Sequence, residues 1–333
     1  MRASWRSFAT ACSSALLLLA CSRAPSASEG GAPVPSAGPL ASVASLVPPP
    51  SAAPSTAPSA SAQADPLLTD VPVKSKSIGH TSYVLKVTLS GGAVMVFKPR
   101  SRLPLGDRRY RGEIAAYRIA VALGLDNVPR SFPRSFDASA LRPLQPDFDE
   151  KALVDADGKV RGAAKPWLDK YVVLPLEQPS ARARWEPWLT DPAASIPDEQ
   201  RALAGAVSTM IAFDYITGNW DRWSGGNIAQ DGATGTVLYV DNDGAFYDPP
   251  PADSLARQLA MLRRIVRFSR RFLAMLRALA DDKLRTAIGE EAAGQPLLPE
   301  RVVSGVAARR KTVVDLVDAR IGSAGQDATL ALP

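Results

Sequence analysis

Residues 213–222 read FDYITGNWDR, and residues 238–247 read LYVDNDGAFY. The first closes a long apolar run, ALAGAVSTMIAFDYIT, whose spacing predicts a helix over about 198–217. The next piece, GNWDRWSGGNI, is expected as a loop. A strand is expected at Thr236–Val240, ended by Asp241-Asn242-Asp243-Gly244. Asp221, Arg222 and Asn227 therefore fall in a loop after an apolar helix, and Asp241 directly follows a strand.

Toward the N-terminus, residues 81–97 read TSYVLKVTLSGGAVMVF, two β-rich runs around Ser90-Gly91-Gly92. That is a hairpin signal, stopped after Lys98 by Pro99. A helix follows over about 111–124, with Ile114, Tyr117, Ile119, Val121 and Leu125 suited to one buried face and Gly124 as C-cap. Residues 130–165 carry no clear period, apart from a turn at Asp155-Ala156-Asp157-Gly158. Tyr171-Val172-Val173-Leu174 reads as a short strand ended by Pro175. Beyond residue 253 the pattern is helical, near 253–278, 281–289 and 299–321. Strands come first and helices dominate later. The expected fold class is α+β, bilobal and protein-kinase-like, with a β-rich N-lobe and a helical C-lobe.

Lys98, Glu113, Asp221, Asn227 and Asp241 carry the candidate chemistry. Each alone is ordinary: a strand-end lysine is usually solvated, and Glu113 in a first helical turn suits the helix dipole. Asp-Arg in a loop is commonly a local salt bridge. Together, in this order, they fit phosphoryl transfer. That reaction needs a cation on the nucleotide phosphates held by an acid, a carboxylate at the attacking hydroxyl, and an amide and a carboxylate on the metal.

The blocks VFKPR (96–100), RGEIAAYRIAVALGLDNVP (111–129), FDYITGNWDR and LYVDNDGAFY resemble the four-jointed and Golgi casein kinase family of atypical secretory-pathway kinases. More distantly, GNWDR and the later aspartate resemble HipA-type and phosphatidylinositol kinases. The resemblance covers about residues 76–248. It implies that Lys98 contacts the ATP phosphates and pairs with Glu113, and that Asp221 orients or deprotonates the acceptor hydroxyl. It implies Mg or Mn on Asp241 and Asn227, a phosphate-covering turn near Gly79, and an adenine-lining hinge at Val172–Leu176, including Val173 and Leu174. The implied acceptor is a hydroxyl, with protein Ser/Thr favoured over a sugar or lipid headgroup. Two departures stand out. Asp221 and Asn227 are six residues apart where the family has five, and Gly225-Gly226 is placed to absorb the extra residue. No GxGxxG lies near residue 79. The rival readings are a pseudokinase-type binding module and an enzyme moving AMP to a hydroxyl.

Composition narrows the remaining classes. The 333 residues hold one histidine, His80, and two cysteines, Cys12 and Cys21. Multi-histidine metal sites and a cysteine nucleophile in the body of the chain are excluded. His80 reads as a loop histidine, with a phosphate contact as the sharper alternative. Arg2, Arg6, the apolar core Ala15–Ala20 and Leu18-Leu19-Ala20-Cys21 resemble a bacterial lipoprotein signal, which implies lipidation of Cys21. Removing residues 1–21 takes away two arginines and no acids, leaving a formal net charge of +4. That mild charge speaks against a nucleic-acid partner. Of the 45 residues 22–66, 12 are Ala, 10 Ser and 10 Pro, so this segment reads as a disordered tether. As a flexible coil it spans roughly 40 Å. The expected organisation is signal 1–21, tether 22–66 and a kinase-like domain 67–333, with lobes of about 67–175 and 176–333. The expected place is the bacterial cell envelope, lipid-anchored outside the cytoplasmic membrane. Trp220 and Trp223 are expected to pack the loop. Arg263, Arg264, Arg267, Arg270 and Arg271 read as a solvated helix face, with an anionic surface as the alternative contact.

Overall fold

The computed structural model describes residues 65–79 and 81–333. The signal segment with Cys21, nearly all of the tether, and His80 lie outside the described residues. The described chain opens with a one-turn helix α1 (Pro66–Thr69), capped by the Asp65 carboxylate on the Leu67 N–H at 3.0 Å.

Five strands build an antiparallel sheet in the order β1-β2-β3-β5-β4. They are β1 (Pro72–Ser77), β2 (Leu85–Leu89), β3 (Val94–Pro99), β4 (Phe132–Asp137) and β5 (Lys159–Pro166). In β2, Leu85, Val87 and Leu89 are buried and alternate with half-buried Lys86 and Thr88, the period of a strand with one covered face. The hairpin turns through Ser90–Ala93, with Gly92 at φ 85°. Phe97 of β3 meets Phe136 of β4 edge to face, ring centroids 5.0 Å apart, in a core with Leu85, Met95, Leu141 and Phe148.

Between β3 and β4 the chain forms α2 (Arg109–Ala122), and between β4 and β5 two short helices, α3 (Ala138–Leu141) and α4 (Phe148–Lys151). The stretch 130–165, which showed no period, thus holds β4, α3, α4 and β5. The buried face of α2 differs from the expected one. Ile114 and Ile119 are buried, but Val121 is 55% exposed, and Ala115, Ala116 and Ala120 take the covered positions. Alanines let the helix lie close to its neighbours, so small side chains rather than the β-branched valine face inward.

The second lobe contains a three-stranded sheet, β6 (Tyr171–Val173), β7 (Ile228–Asp231) and β8 (Val237–Tyr239), in that order. Residues 228–231, where the expected loop ended, are its central strand. Trp167 still bonds Val94, and Tyr171 already pairs with Asp231. The chain therefore passes from one sheet to the other over residues 168–170, a few residues before the boundary expected at 175. Around this sheet pack α5 (Pro179–Thr190), α6 (Arg201–Thr217), α7 (Ser254–Arg264), α8 (Arg270–Ala278), α9 (Asp281–Ile288), α10 (Glu300–Ala324) and α11 (Gln326–Thr329). A small hairpin, β9 (Glu290–Ala292) and β10 (Gln295–Pro296), joins α9 to α10. Residues 253–278, expected as one helix, form two. The chain extends after α7 so that Phe268 can exchange backbone hydrogen bonds with Thr329 and Leu332, and Ser269 caps α8.

Candidate active site

The apolar alternation of β3 ends on Lys98, whose register partner in β5 is Ala163. Its side chain is buried, and its Nζ meets three carboxylates: Glu113 Oε1 at 2.8 Å, Asp241 Oδ1 at 2.6 Å and Asp243 Oδ2 at 2.9 Å. Burial works against the charged lysine. The charges of Asp241, Glu113 and Asp243 outweigh it and hold the pKa well above the ordinary value. Glu113 lies one turn into α2 and is likewise buried. Burial would raise its carboxyl, but Lys165 of β5, 2.8 Å from Oε1, and Lys98 hold it far below the usual carboxylate range. Its other oxygen accepts the Asn242 backbone N–H at 3.1 Å, which fastens α2 to the segment after β8.

Asp241, φ 52°, is a non-glycine residue in the left-handed region. Such a conformation costs on the order of 1 kcal/mol and persists where its surroundings fix it. It leaves the side chain 43% exposed at the mouth of the cluster. Asp243, two residues on, is buried. Burial raises its carboxyl, but Lys98 and the Ser82 hydroxyl, which donates at 2.6 Å, bring it below the ordinary value.

Asp221 belongs to the loop after α6. Its backbone N–H bonds Asn219 Oδ1, and Asn227 Nδ2 donates to the Asp221 carbonyl at 2.9 Å and reaches Oδ2 at 3.5 Å. Gly225 and Gly226 have φ of 105° and 79°, so the two glycines turn the six-residue span back on itself. Asp221 also packs on Gly244. A Cβ added to that glycine would lie 2.8 Å from the Asp221 Cβ, so only glycine allows the two loops this approach. Burial raises the Asp221 carboxyl, and the nearby Asp241 and Asp243 charges add to the rise.

Arg222 ties these loops together from beneath. It is 0% exposed, and its guanidinium donates to Asp214 of α6, to the carbonyls of Asn227 and Val240, and to Asn242 Oδ1. Asp214 is pushed up to about 6 by burial, against the pull of Arg222.

The structure thus brings Lys98, Glu113 and Asp241 into direct contact and sets Asp221 with Asn227 beside them. Gly79 lies in a turn whose Ser82 joins the cluster through Asp243. A Cβ on Gly79 would fall 2.0 Å from the Ser82 carbonyl oxygen, so no side chain fits there. Val173 and Leu174 stand apart on and after β6. Their link to the cluster runs through Tyr171, whose hydroxyl is raised by burial and by the Asp241 charge. Sequence reading passed over Lys165, Asp243, Ser82 and Arg109. Asp243 stood in the quoted DNDG, but as part of a turn. Trp223 stacks on Trp185 at 5.5 Å, as a packing residue does, while Trp220 is exposed and tilts against Tyr247. Of the arginine cluster, Arg264 pairs with Glu186, Arg270 pairs with Asp327, and Arg267 and Arg271 cap backbone carbonyls. Four of those five arginines are therefore spent on the fold. No helix of the described residues is long and apolar enough to cross a membrane.

Among the described residues, no three His, Cys, Asp or Glu side chains stand together as a ready metal cage. The donor types nevertheless suit a hard divalent cation: Asp241 presents an oxygen to solvent, and Asn227 adds an amide oxygen. Charge also favours one. Glu113, Asp241, Asp243 and Asp221 face Lys98, Lys165 and Arg109, so the site is net acidic and would repel a polyphosphate by itself.

The described residues have the bilobal, kinase-like α+β fold. The Golgi casein kinase with Mn and ADP bound shares it, with a TM-score of 0.58 at 14% identity over 79% of this chain and 76% of that one. Hydra Fam20 with sugar shares it too, with a TM-score of 0.55 at 17% identity over 79% of this chain and 89% of that one. At such identities the likeness is one of fold. No family model matches the chain, and no curated protein matches it in sequence.

Proposed function

We propose that this domain transfers the γ-phosphoryl group of ATP to a hydroxyl acceptor, with protein Ser/Thr favoured. The observation that carries the reading is the Lys98 ammonium bound at once to Glu113 and Asp241, on strand, helix and post-strand loop in kinase order. Asp221 is the acceptor-facing carboxylate. The acceptor oxygen bonds to the γ-phosphorus as the bond to the β-phosphate oxygen breaks, and the hydroxyl proton passes to the Asp221 carboxylate. A raised carboxyl pKa makes Asp221 a better proton acceptor than an ordinary aspartate. Lys98 holds phosphate oxygens, and Glu113 and Lys165 keep it aimed. Asp241 and Asn227 would hold Mg²⁺ or Mn²⁺, which supplies positive charge between the carboxylates and the phosphates. Val173 and Leu174 would flank the adenine.

A second reading has one observation in its favour. All three Lys98 donors are taken by carboxylates, as in a fold kept for binding rather than transfer. Incubation with Mn²⁺ and ATP labelled at the α or the γ phosphate, with a mixed protein acceptor, separates the cases. Label from γ alone, lost in Asp221→Ala and Asp241→Ala, supports the kinase. Label from α supports AMP transfer, and the absence of any nucleotide binding supports the binding module. The site of action is the cell envelope, through a lipid on Cys21. Retention in the membrane fraction, abolished by Cys21→Ser, tests that anchor.

A further inference from the structure

Arg109 is the first residue of α2 and has no counterpart in the kinase order of residues. Its Nε donates to the Pro104 carbonyl at 3.2 Å. Its Nη1 donates to Ser82 Oγ at 3.0 Å and reaches Asp243 Oδ2 at 3.5 Å. Asp243 Oδ2 is the same oxygen that accepts from Lys98 at 2.9 Å. Two cations, one from the end of β3 and one from the head of α2, therefore converge on a single buried oxygen. The next residue is Gly244, on which Asp221 packs. Arg109 thus stands where the lysine cluster meets the acceptor carboxylate, and its charge acts on both Asp221 and Tyr247.

Donor counting separates the two cations. An ammonium has three N–H groups, and those of Lys98 are committed to Glu113, Asp241 and Asp243. A guanidinium has five. Arg109 spends Nε and Nη1, while Nη2 has no hydrogen-bond partner among the described residues, and the side chain remains 19% exposed. The Tyr247 hydroxyl is shielded from solvent and also finds no partner among the described residues. The cleft between Lys98 and Asp221 therefore offers unspent donors for an anion, and the forked group suited to phosphate oxygens is Arg109.

We propose that Arg109 is a second phosphate-binding cation, one that holds the terminal phosphoryl group of the nucleotide and stabilises its charge as it passes to the acceptor hydroxyl. The inference rests on the phosphotransferase reading above. Arg109 neither gains nor loses a proton in the step. Ser82 is a positioning residue, since its hydroxyl accepts from Arg109 while donating to Asp243.

The test compares binding of Mg·ADP with binding of Mg·ADP plus tetrafluoroaluminate, a mimic of the transferring phosphoryl group, by calorimetry on the wild-type protein, Arg109→Ala and Arg109→Lys. The wild-type protein is expected to bind the fluoroaluminate complex more tightly than ADP. Arg109→Ala should keep its ADP affinity and lose that preference. In the transfer assay its kcat should fall about 100-fold with KM little changed, as for loss of one transition-state donor. Added guanidinium should recover part of the rate. Arg109→Lys, which conserves charge without the fork, should recover less than guanidinium does. An Arg109→Ala protein that keeps both the preference and kcat, in a background where wild type is active, overturns the role of Arg109 alone. A wild-type protein that binds neither complex overturns the phosphotransferase reading and this inference with it.

Discussion

Arg222→Met is the most informative single perturbation of the architecture. Arg222 is fully buried and makes five donor contacts that join α6, the Asp221 loop and the segment after β8. Methionine fills most of the space but leaves Asp214 as an unpaired buried carboxylate. Breaking a buried ion pair on one side costs about 3–5 kcal/mol. The orphaned carbonyls of Asn227 and Val240 add about 1 kcal/mol or more each where water cannot reach them. Against a total stability of roughly 5–15 kcal/mol, this is a large share. Urea unfolding followed by circular dichroism should show the midpoint fall sharply at pH 7.5. The loss should shrink with acid. Asp214 already binds a proton more readily folded, at about 6, than its ordinary value of 3.8. The folded state therefore holds more protons across that window, and stability falls as pH rises through it. Without Arg222 the carboxyl rises further, so the variant's deficit should be smaller at pH 5 than at pH 7.5. Arg222→Met with Asp214→Leu should recover much of the loss, because the pair is removed as a whole. A single variant within about 1 kcal/mol of wild type, the range of an exposed salt bridge, would refute the reasoning.

Gly244→Ala should displace Asp221, since its Cβ would lie 2.8 Å from that of the aspartate and 3.0 Å from Asn219 Oδ1; a cost of about 1–3 kcal/mol in denaturant and a larger proportional loss of transfer are expected. Lys165→Met leaves Glu113 to Lys98 alone, so it should weaken metal-dependent nucleotide binding, read by calorimetry, while the circular dichroism spectrum stays native. Ser269→Ala removes the α8 cap at the Phe272 N–H and should cost about 1 kcal/mol in urea unfolding, with nucleotide binding unchanged.

The order of elements was legible because β2 alternates cleanly and α6 is a long uninterrupted apolar run. Other parts were hidden for physical reasons. β5 carries Gly162, Ala163 and Ala164, which have weak strand preference on their own, and Gly162 is there because a Cβ would meet the Lys98 carbonyl at 2.4 Å. Tyr171, Val172 and Val173 read as buried from their apolarity, yet all three are exposed, since β6 is an edge strand. Lys165 looked like one more surface lysine, and only the β3–β5 register brings it to Glu113. The roles of Asp243 and Arg109 depend on contacts across more than a hundred residues, which no local pattern encodes.

The division of the apolar interior has a consequence for motion. Met95 and Phe97 of β3 belong to the core of the first sheet, whereas Tyr110, Ile114 and Ile119 of α2 belong to the core of the helical lobe. Lys98 and Glu113 therefore ride on different bodies, and their ion pair spans the seam. Breathing of the five-stranded sheet would release Lys98 while Glu113 stayed fixed, so amide exchange should reach β3 before α2. The charge pairing at the heart of the site then doubles as a gauge of whether the molecule is shut.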